Sequence, residues 1–247
     1  MASLVIDIGN TATKIAIFNR EEIIFTEQHQ NVSEDVIENF VGKYHVNKAI
    51  ISSVKNKIES WHYYLKNKVA LFYFNAAMAK GIINHYLTPE TLGLDRLAAV
   101  TGAKYLYPGK SSVVIDAGTC ITYDWVDKEG NYYGGSISPG LVMRYKALNT
   151  FTAALPLLKT DENFTGNFGN NTTSAIHSGV QNGIKYELEG FISSYKTGGY
   201  EPNIVLTGGD GIFFDTLLKN SIFAPYIKIE PFLVLKGLNA AILNNND

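Results

Sequence analysis

The 247-residue chain is 46% hydrophobic and 18% charged, with a formal net charge of −2, which suits one large or two small folded domains and argues against a disordered chain. No local basic stretch reads as a nucleic-acid footprint, and no apolar run approaches the roughly 20 residues a membrane helix needs, so neither partner is expected. A single cysteine, Cys120, excludes an intramolecular disulfide, and the opening M-A-S-L-V-I-D runs into a strand pattern without the features of a secretion signal; a cytoplasmic protein is expected.

Three short strand-like runs, Ser3–Ile8, Lys14–Phe18 and Glu22–Thr26, are separated by turn residues and predict a meander of hairpins. Ser33 is a candidate N-cap for a helix over Glu34–Tyr44, with Val36, Ile37, Phe40 and Val41 at helical spacing. A buried strand over Ala49–Val54, a helix near Ile58–Lys66, a strand near Val69–Phe74 and a helix from Asp95 to about Tyr107 follow, and Pro108-Gly109 closes the first half. The second half repeats this order. Val113–Asp116, Ile121–Val126 and Tyr132–Ile137 read as three strands, and a helix opens after Pro139-Gly140. A long helix is expected over Thr173–Tyr195, with Ile176, Val180, Ile184, Leu188 and Ile192 at successive i+4 steps. Strand Asn203–Thr207, the tight loop Gly208-Gly209-Asp210-Gly211, a helix near Phe213–Leu218 and an apolar helix over Phe232–Leu243 complete the chain.

The repetition extends to a motif. Leu4–Gly9 reads L-V-I-D-I-G and Val113–Gly118 reads V-V-I-D-A-G, so an apolar strand twice ends in Asp-x-Gly. Both order and motif point to a duplicated α/β architecture with mixed sheets, its halves spanning 1–109 and 110–247. Asp7 and Asp116 would then face one another across a cleft suited to a nucleotide and its metal.

Three segments carry candidate chemistry. In Asp7-Ile8-Gly9-Asn10-Thr11-Ala12-Thr13-Lys14, backbone N–H groups and hydroxyls of a turn can meet a phosphate, Asp7 can hold Mg²⁺ through water, and Lys14 adds charge. An ordinary hairpin with a structural Asp accounts for the same residues equally well. Gly93-Leu94-Asp95-Arg96 opens a helix; Asp95 is placed to accept a proton from a hydroxyl and Arg96 to grip a carboxylate, while simple capping is the plainer explanation. In Asp116-Ala117-Gly118-Thr119-Cys120-Ile121-Thr122, followed by Gly134-Gly135-Ser136-Ile137-Ser138-Pro139-Gly140, oxygen ligands and small residues suit a cation or phosphate, or merely a strand, a turn and a Pro-led helix. Cys120 reads as a buried small residue, and the five histidines show no metal-ligand spacing.

Taken together, D-I-G-N-T, G-L-D-R, D-A-G-T-x-x-T, G-G-S-I-S-P-G-L and the N-T…S-G segment at Asn171–Gly179 resemble type III pantothenate kinase. The resemblance implies duplicated ribonuclease H-like, actin-like ATPase domains and transfer of phosphate from ATP to pantothenate, the first step of coenzyme A biosynthesis. It further implies that Asp7, Ile8, Gly9, Asn10, Thr11, Ala12, Thr13, Lys14 and Thr119 bind ATP, with Asp7 placing Mg²⁺, and that Asp116 holds potassium or ammonium. By the same likeness Asp95 is the proton acceptor, Tyr86, Gly93, Leu94, Asp95, Arg96 and Thr172 contact pantothenate, and the protein is a homodimer whose second subunit helps build that site. Cys120 replaces a usual Ala, and Ala16 a frequent Gly. Another small-molecule kinase or phosphatase of this fold, or a non-catalytic regulatory relative, is the competing expectation.

Overall fold

The computed structural model describes residues 2–53, 59–195 and 202–244. The chain opens with the predicted meander of β1 (Ala2–Ile8), β2 (Thr13–Asn19) and β3 (Glu22–His29). Helix α1 (Glu34–Tyr44) starts where its cap predicts, with the Val36 N–H donating to Ser33 Oγ at 3.4 Å. Strand β4 (Val46–Ser53), helix α2 (Ser60–Lys68), strand β5 (Ala70–Tyr73), the two-residue β6 (Ile83–Asn84) and helix α3 (Leu94–Leu106) follow. Val54 and Ile58, included in the expected strand and helix ends, lie outside the described residues.

The second round comprises β7 (Ser112–Ala117), β8 (Cys120–Val126), β9 (Asn131–Pro139) and α4 (Leu141–Thr150). A long helical run then begins as α5 (Thr172–His177), passes through a π turn at Ser178–Asn182 and continues as α6 (Gly183–Tyr195). Strand β10 (Asn203–Thr207), helix α7 (Gly211–Leu218), strand β11 (Ile227–Ile229) and helix α8 (Leu233–Asn244) complete the fold.

The duplication is written in the strand order. One sheet runs β3-β2-β1-β4-β5, and the other runs β9-β8-β7-β10-β11 with β6 added beside β9. In each, a central strand pairs antiparallel with the next strand and parallel with the one reached through helix (β1 with β2 and β4, β7 with β8 and β10). Such central strands are covered on both faces, which explains their nearly continuous apolar runs. Leu4, Val5 and Ile6, like Val113, Val114 and Ile115, are wholly buried; each such side chain contributes about 1.5–3 kcal/mol on leaving water.

The chain forms two compact units, the first comprising Met1–Gly109, Lys128–Tyr133 and Phe232–Asp247, the second Lys110–Asp127 and Gly134–Pro231. The division is therefore not the expected single cut between 109 and 110. Helix α8 returns to the first unit because its apolar face packs on α3, and a side chain at Gly237 would overlap the Ala98 carbonyl of that helix. Buried Asn239 secures the return: its Oδ1 accepts from Ser3 Oγ at 2.8 Å and its Nδ2 donates to the Arg20 carbonyl at 2.7 Å.

Candidate functional site

In the first unit, Asp7 lies one residue before the end of β1, in register with Lys14 on β2 and Ser52 on β4. Its side chain is buried, whereas Asn10 and Thr11 are exposed in a turn closed by the Gly9 N–H donating to the Ala12 carbonyl at 3.1 Å. The loop thus shows amides and hydroxyls to its surroundings while the carboxylate sits below them. Ser52 Oγ is buried without a hydrogen-bond partner among the described residues, an arrangement that costs about 1–3 kcal/mol unless something completes it. Carboxylate and hydroxyl oxygens are the hard donors Mg²⁺ takes beside phosphate, so this strand tip fits that ion.

The Gly93–Arg96 segment forms the start of α3. The Leu97 N–H donates to the Gly93 carbonyl at 3.2 Å, and the Arg96 N–H donates to Asp95 Oδ1 at 2.8 Å. Arg96 is 6% exposed, its guanidinium carbon 5.8 Å from the centroid of the Tyr86 ring; such a desolvated contact is worth up to about 2 kcal/mol. Tyr86 is itself fixed by its N–H, which donates to Asn84 Oδ1 at 3.0 Å. Tyr86 and Arg96, ten positions apart in the sequence, are therefore brought into one arrangement; Leu94 and Asp95 are half-buried beside them.

In the second unit, Asp116 occupies the position of β7 that Asp7 occupies in β1, in register with Thr122 and Thr207. The next turn is closed by the Gly118 N–H on the Cys120 carbonyl at 3.1 Å, and the Thr119 carbonyl accepts from the Gly140 N–H at 3.2 Å, which ties the turn to the start of α4. The loop after β10 crosses the same strand end. Gly208 adopts a left-handed φ of +87°, and a side chain there would run into Asp116 Oδ1 and the Ala117 backbone, while the Asp210 N–H donates to the Ala117 carbonyl at 2.9 Å. Burial holds the Asp210 carboxyl above its usual range. Gly208 and Asp210 belong to the tight loop expected after this strand, and the structure sets that loop against the Asp116 strand end. Asp116 supplies carboxylate oxygen within this glycine-lined strand end, a donor chemistry that fits a monovalent cation.

Cys120 is exposed, not buried as expected, because it opens β8 on the face opposite inward-pointing Ile121. Arg144 of α4 anchors the Ser138-Pro139 segment: Nε donates to the Pro139 carbonyl at 2.8 Å, and the guanidinium also reaches Ser138 Oγ at 2.8 Å and Glu187 Oε2 at 2.6 Å. Burial alone would raise the Glu187 carboxyl, but hydrogen bonds from Arg144, Ser138 and Tyr123 together with the Arg144 charge hold it below its usual range.

Thr172 lies elsewhere in this unit, on a cavity of about 560 Å³ lined by Asp161, Phe164, Asn171, Thr173, Ser174 and His177 as well. The N-cap of α5 shapes its rim: Asn171 Oδ1 accepts from the Ser174 N–H at 2.9 Å, and Ser174 Oγ accepts from the Asn171 N–H at 3.2 Å. Asp161 and His177 carry no spacing motif and could not be read as neighbours of Thr172. Among the described residues no group of three or more His, Cys, Asp or Glu side chains is arranged to hold a metal.

The family model of type III pantothenate kinase matches residues 3–194. The chain belongs to this family. A type III pantothenate kinase of Bacteroides fragilis is 46% identical over 245 residues, covering 99% of this chain and 98% of that one. Among solved structures, a conserved protein from Campylobacter jejuni assigned to the Baf family of transcriptional activators superposes with a TM-score of 0.60 at 22% identity, covering 98% of each chain. The activator of 2-hydroxyisocaproyl-CoA dehydratase from Clostridium difficile, solved with bound ADPNP, gives 0.58 at 13% identity, covering 99% of this chain and 94% of that one. At these identities the structural likeness carries the fold alone: two ribonuclease H-like halves of the actin-like ATPase type, with which the repeated strand order agrees. Among the described residues no helix is long and apolar enough to cross a membrane.

Proposed function

We propose that the protein transfers the γ-phosphoryl group of ATP to the primary hydroxyl of pantothenate, giving 4′-phosphopantothenate. The observation that carries this reading is the pair of acidic strand tips, Asp7 and Asp116, at the same position of two sheets with the same order, in a chain of this family. The Asp7–Lys14 turn binds the phosphates of ATP through its amides and hydroxyls, and Thr119 contributes a further contact. Asp7 holds Mg²⁺ and Asp116 holds potassium or ammonium; bound there, these ions neutralise phosphate charge. Tyr86, Gly93, Leu94, Arg96 and Thr172 hold pantothenate.

The oxygen of the substrate hydroxyl bonds to the γ-phosphorus as the bond to the bridging oxygen of ADP breaks, and Asp95 accepts the hydroxyl proton. The transition state is loose, so most of the rate comes from holding these atoms in line. The protein acts as a homodimer, as its likeness to the family implies. The test is direct: purified protein with ATP, Mg²⁺ and pantothenate, with and without potassium or ammonium, should form 4′-phosphopantothenate in a cation-dependent way. Failure to phosphorylate pantothenate under any of these conditions overturns the reading.

A further inference from the structure

Beneath the Thr172 cavity, three side chains form a polar chain whose proton positions follow from the geometry. Gln181, 1% exposed, is clamped to the backbone of Asp161: its Nε2 donates to the Asp161 carbonyl at 3.0 Å and its Oε1 accepts from the Asp161 N–H at 3.1 Å. A backbone N–H only donates and a backbone carbonyl only accepts, so the amide has one permitted orientation. The Tyr145 hydroxyl lies 2.8 Å from the same Oε1 and must place its single proton there. Burial, and then the Asp161 charge, push Tyr145 up to about 12, so that proton is retained at neutral pH. Tyr145 Oη is also 2.9 Å from His177 Nδ1 and has no second proton to give. Nδ1 of the neutral imidazole therefore carries the hydrogen, which leaves Nε2 with a lone pair. His177 lines the cavity, and its Nε2 meets no hydrogen-bond partner among the described residues.

We infer that His177 Nε2 is a specificity-determining acceptor for an uncharged hydroxyl or amide N–H of the substrate, with Tyr145 and Gln181 as the positioning residues that fix its proton. The inference rests on the pantothenate reading and deepens it. Asp161 lines the same cavity, and an acidic neighbour beside a lone-pair nitrogen repels a carboxylate while suiting a neutral donor. Pantothenate presents such donors at its amide and its secondary hydroxyl, away from its carboxylate end.

The experiment uses the full chain, labelled with ¹⁵N-histidine and held at pH 8, where ring-nitrogen shifts distinguish the tautomers. His177 should show a protonated Nδ1 and an unprotonated Nε2, the Nε2 resonance should move when pantothenate is added, and Tyr145→Phe should yield a mixture of tautomers. In kinetics, His177→Phe should raise KM for pantothenate about tenfold, the scale of one lost hydrogen bond, with KM for ATP unchanged. Analogues lacking the secondary hydroxyl or methylated at the amide identify the donor, since the matching analogue loses affinity for wild type but not for His177→Phe. An Nε2–H tautomer in active wild-type protein, or an unchanged pantothenate KM in folded His177→Phe, overturns the inference alone. Should that variant fail to fold, the tautomer and titration spectra of wild type and Tyr145→Phe decide it. Wild-type protein that does not phosphorylate pantothenate overturns the functional reading beneath it.

Discussion

Replacing Asp95 with Asn separates chemistry from folding at the proposed proton acceptor. Asp95 Oδ1 receives the Arg96 N–H at 2.8 Å at the start of α3, and Asn retains a carbonyl oxygen able to accept the same bond. What disappears locally is a negative charge in the first turn of a helix, worth about 0.3–1 kcal/mol; for a chain of this size each kcal/mol shifts Tm by about 2–4 °C, so melting should fall by about 4 °C at most. The amide cannot take the hydroxyl proton, and kcat should fall by about 10²-fold or more, the usual range for a lost general base. Asp95→Ala removes the local acceptor as well, and should cost about 1 kcal/mol further in stability with a similar loss of rate. Formation of 4′-phosphopantothenate at saturating ATP and pantothenate, measured beside a thermal melt of the same sample, gives both quantities. A folded Asp95→Asn protein turning over near the wild-type rate refutes the assignment of Asp95, and a fall in Tm beyond 10 °C with kcat intact refutes the local structural argument as well.

Other substitutions probe the supporting framework. Arg144→Met strands Glu187 in its partly buried site and should cost about 2–3 kcal/mol at pH 7. Because the folded Glu187 carboxyl lies below its ordinary value of 4.5, wild-type stability from this group is present above 4.5 and lost as pH falls through the folded value. Melts at pH 7 and pH 4 should therefore show the gap between wild type and variant narrowing on the acid side. His62 is 5% exposed, with both ring nitrogens lacking partners among the described residues. Burial, opposed only in part by Glu59, holds its folded pKa below the ordinary 6.5, so wild type loses stability as pH falls below 6.5. His62→Phe should raise Tm by about 2–4 °C at pH 7 and abolish that component of acid sensitivity; an unchanged acid limb would contradict it. Gly208→Ala, combining a left-handed backbone with overlap at Asp116 and Ala117, should lose about 2–4 kcal/mol and blunt activation by potassium. Gly209→Ala, with nothing within 4 Å of a new side chain, should melt within about 2 °C of wild type; equal losses in the two variants would sink the proposed role of that loop.

What the sequence disclosed is what short-range physics determines. The two Asp-ended strands, the Ser33 cap and the bounds of β10 follow from local patterns of apolar residues and hydrogen-bonding side chains, and the structure places each within a residue or two of expectation. The long helix over Thr173–Tyr195 was legible for the same reason, yet its apolar residues at strict i+4 spacing contained a further clue. Four residues of a regular α-helix turn about 40° beyond one full circle, so an unbroken i+4 stripe drifts around the axis. The wider π turn at Ser178–Asn182 takes up part of that drift, so that Ile176, Val180, Ile184, Leu188 and Ile192 are all buried in one core. It also carries Gln181 to the backbone of Asp161.

Features set by contacts far apart in sequence were not legible. The return of α8 to the first unit depends on a helix-to-helix fit through Gly237 and on Asn239, the two-residue β6 depends on a partner strand, and the exposure of Cys120 depends on which face of β8 turns inward. The candidate site divides along the same line. Its charged motifs stand at strand and helix ends, where local sequence announces them; the Tyr145, His177 and Gln181 chain is assembled from α4, the end of α5 and the π turn that follows it, with a long loop between α4 and α5 and only the fold to bring them together. Charged residues at the ends of strands and helices can be recognised by type and spacing, whereas a buried chain of neutral side chains, with its proton positions, becomes visible only once their hydrogen-bond partners are known.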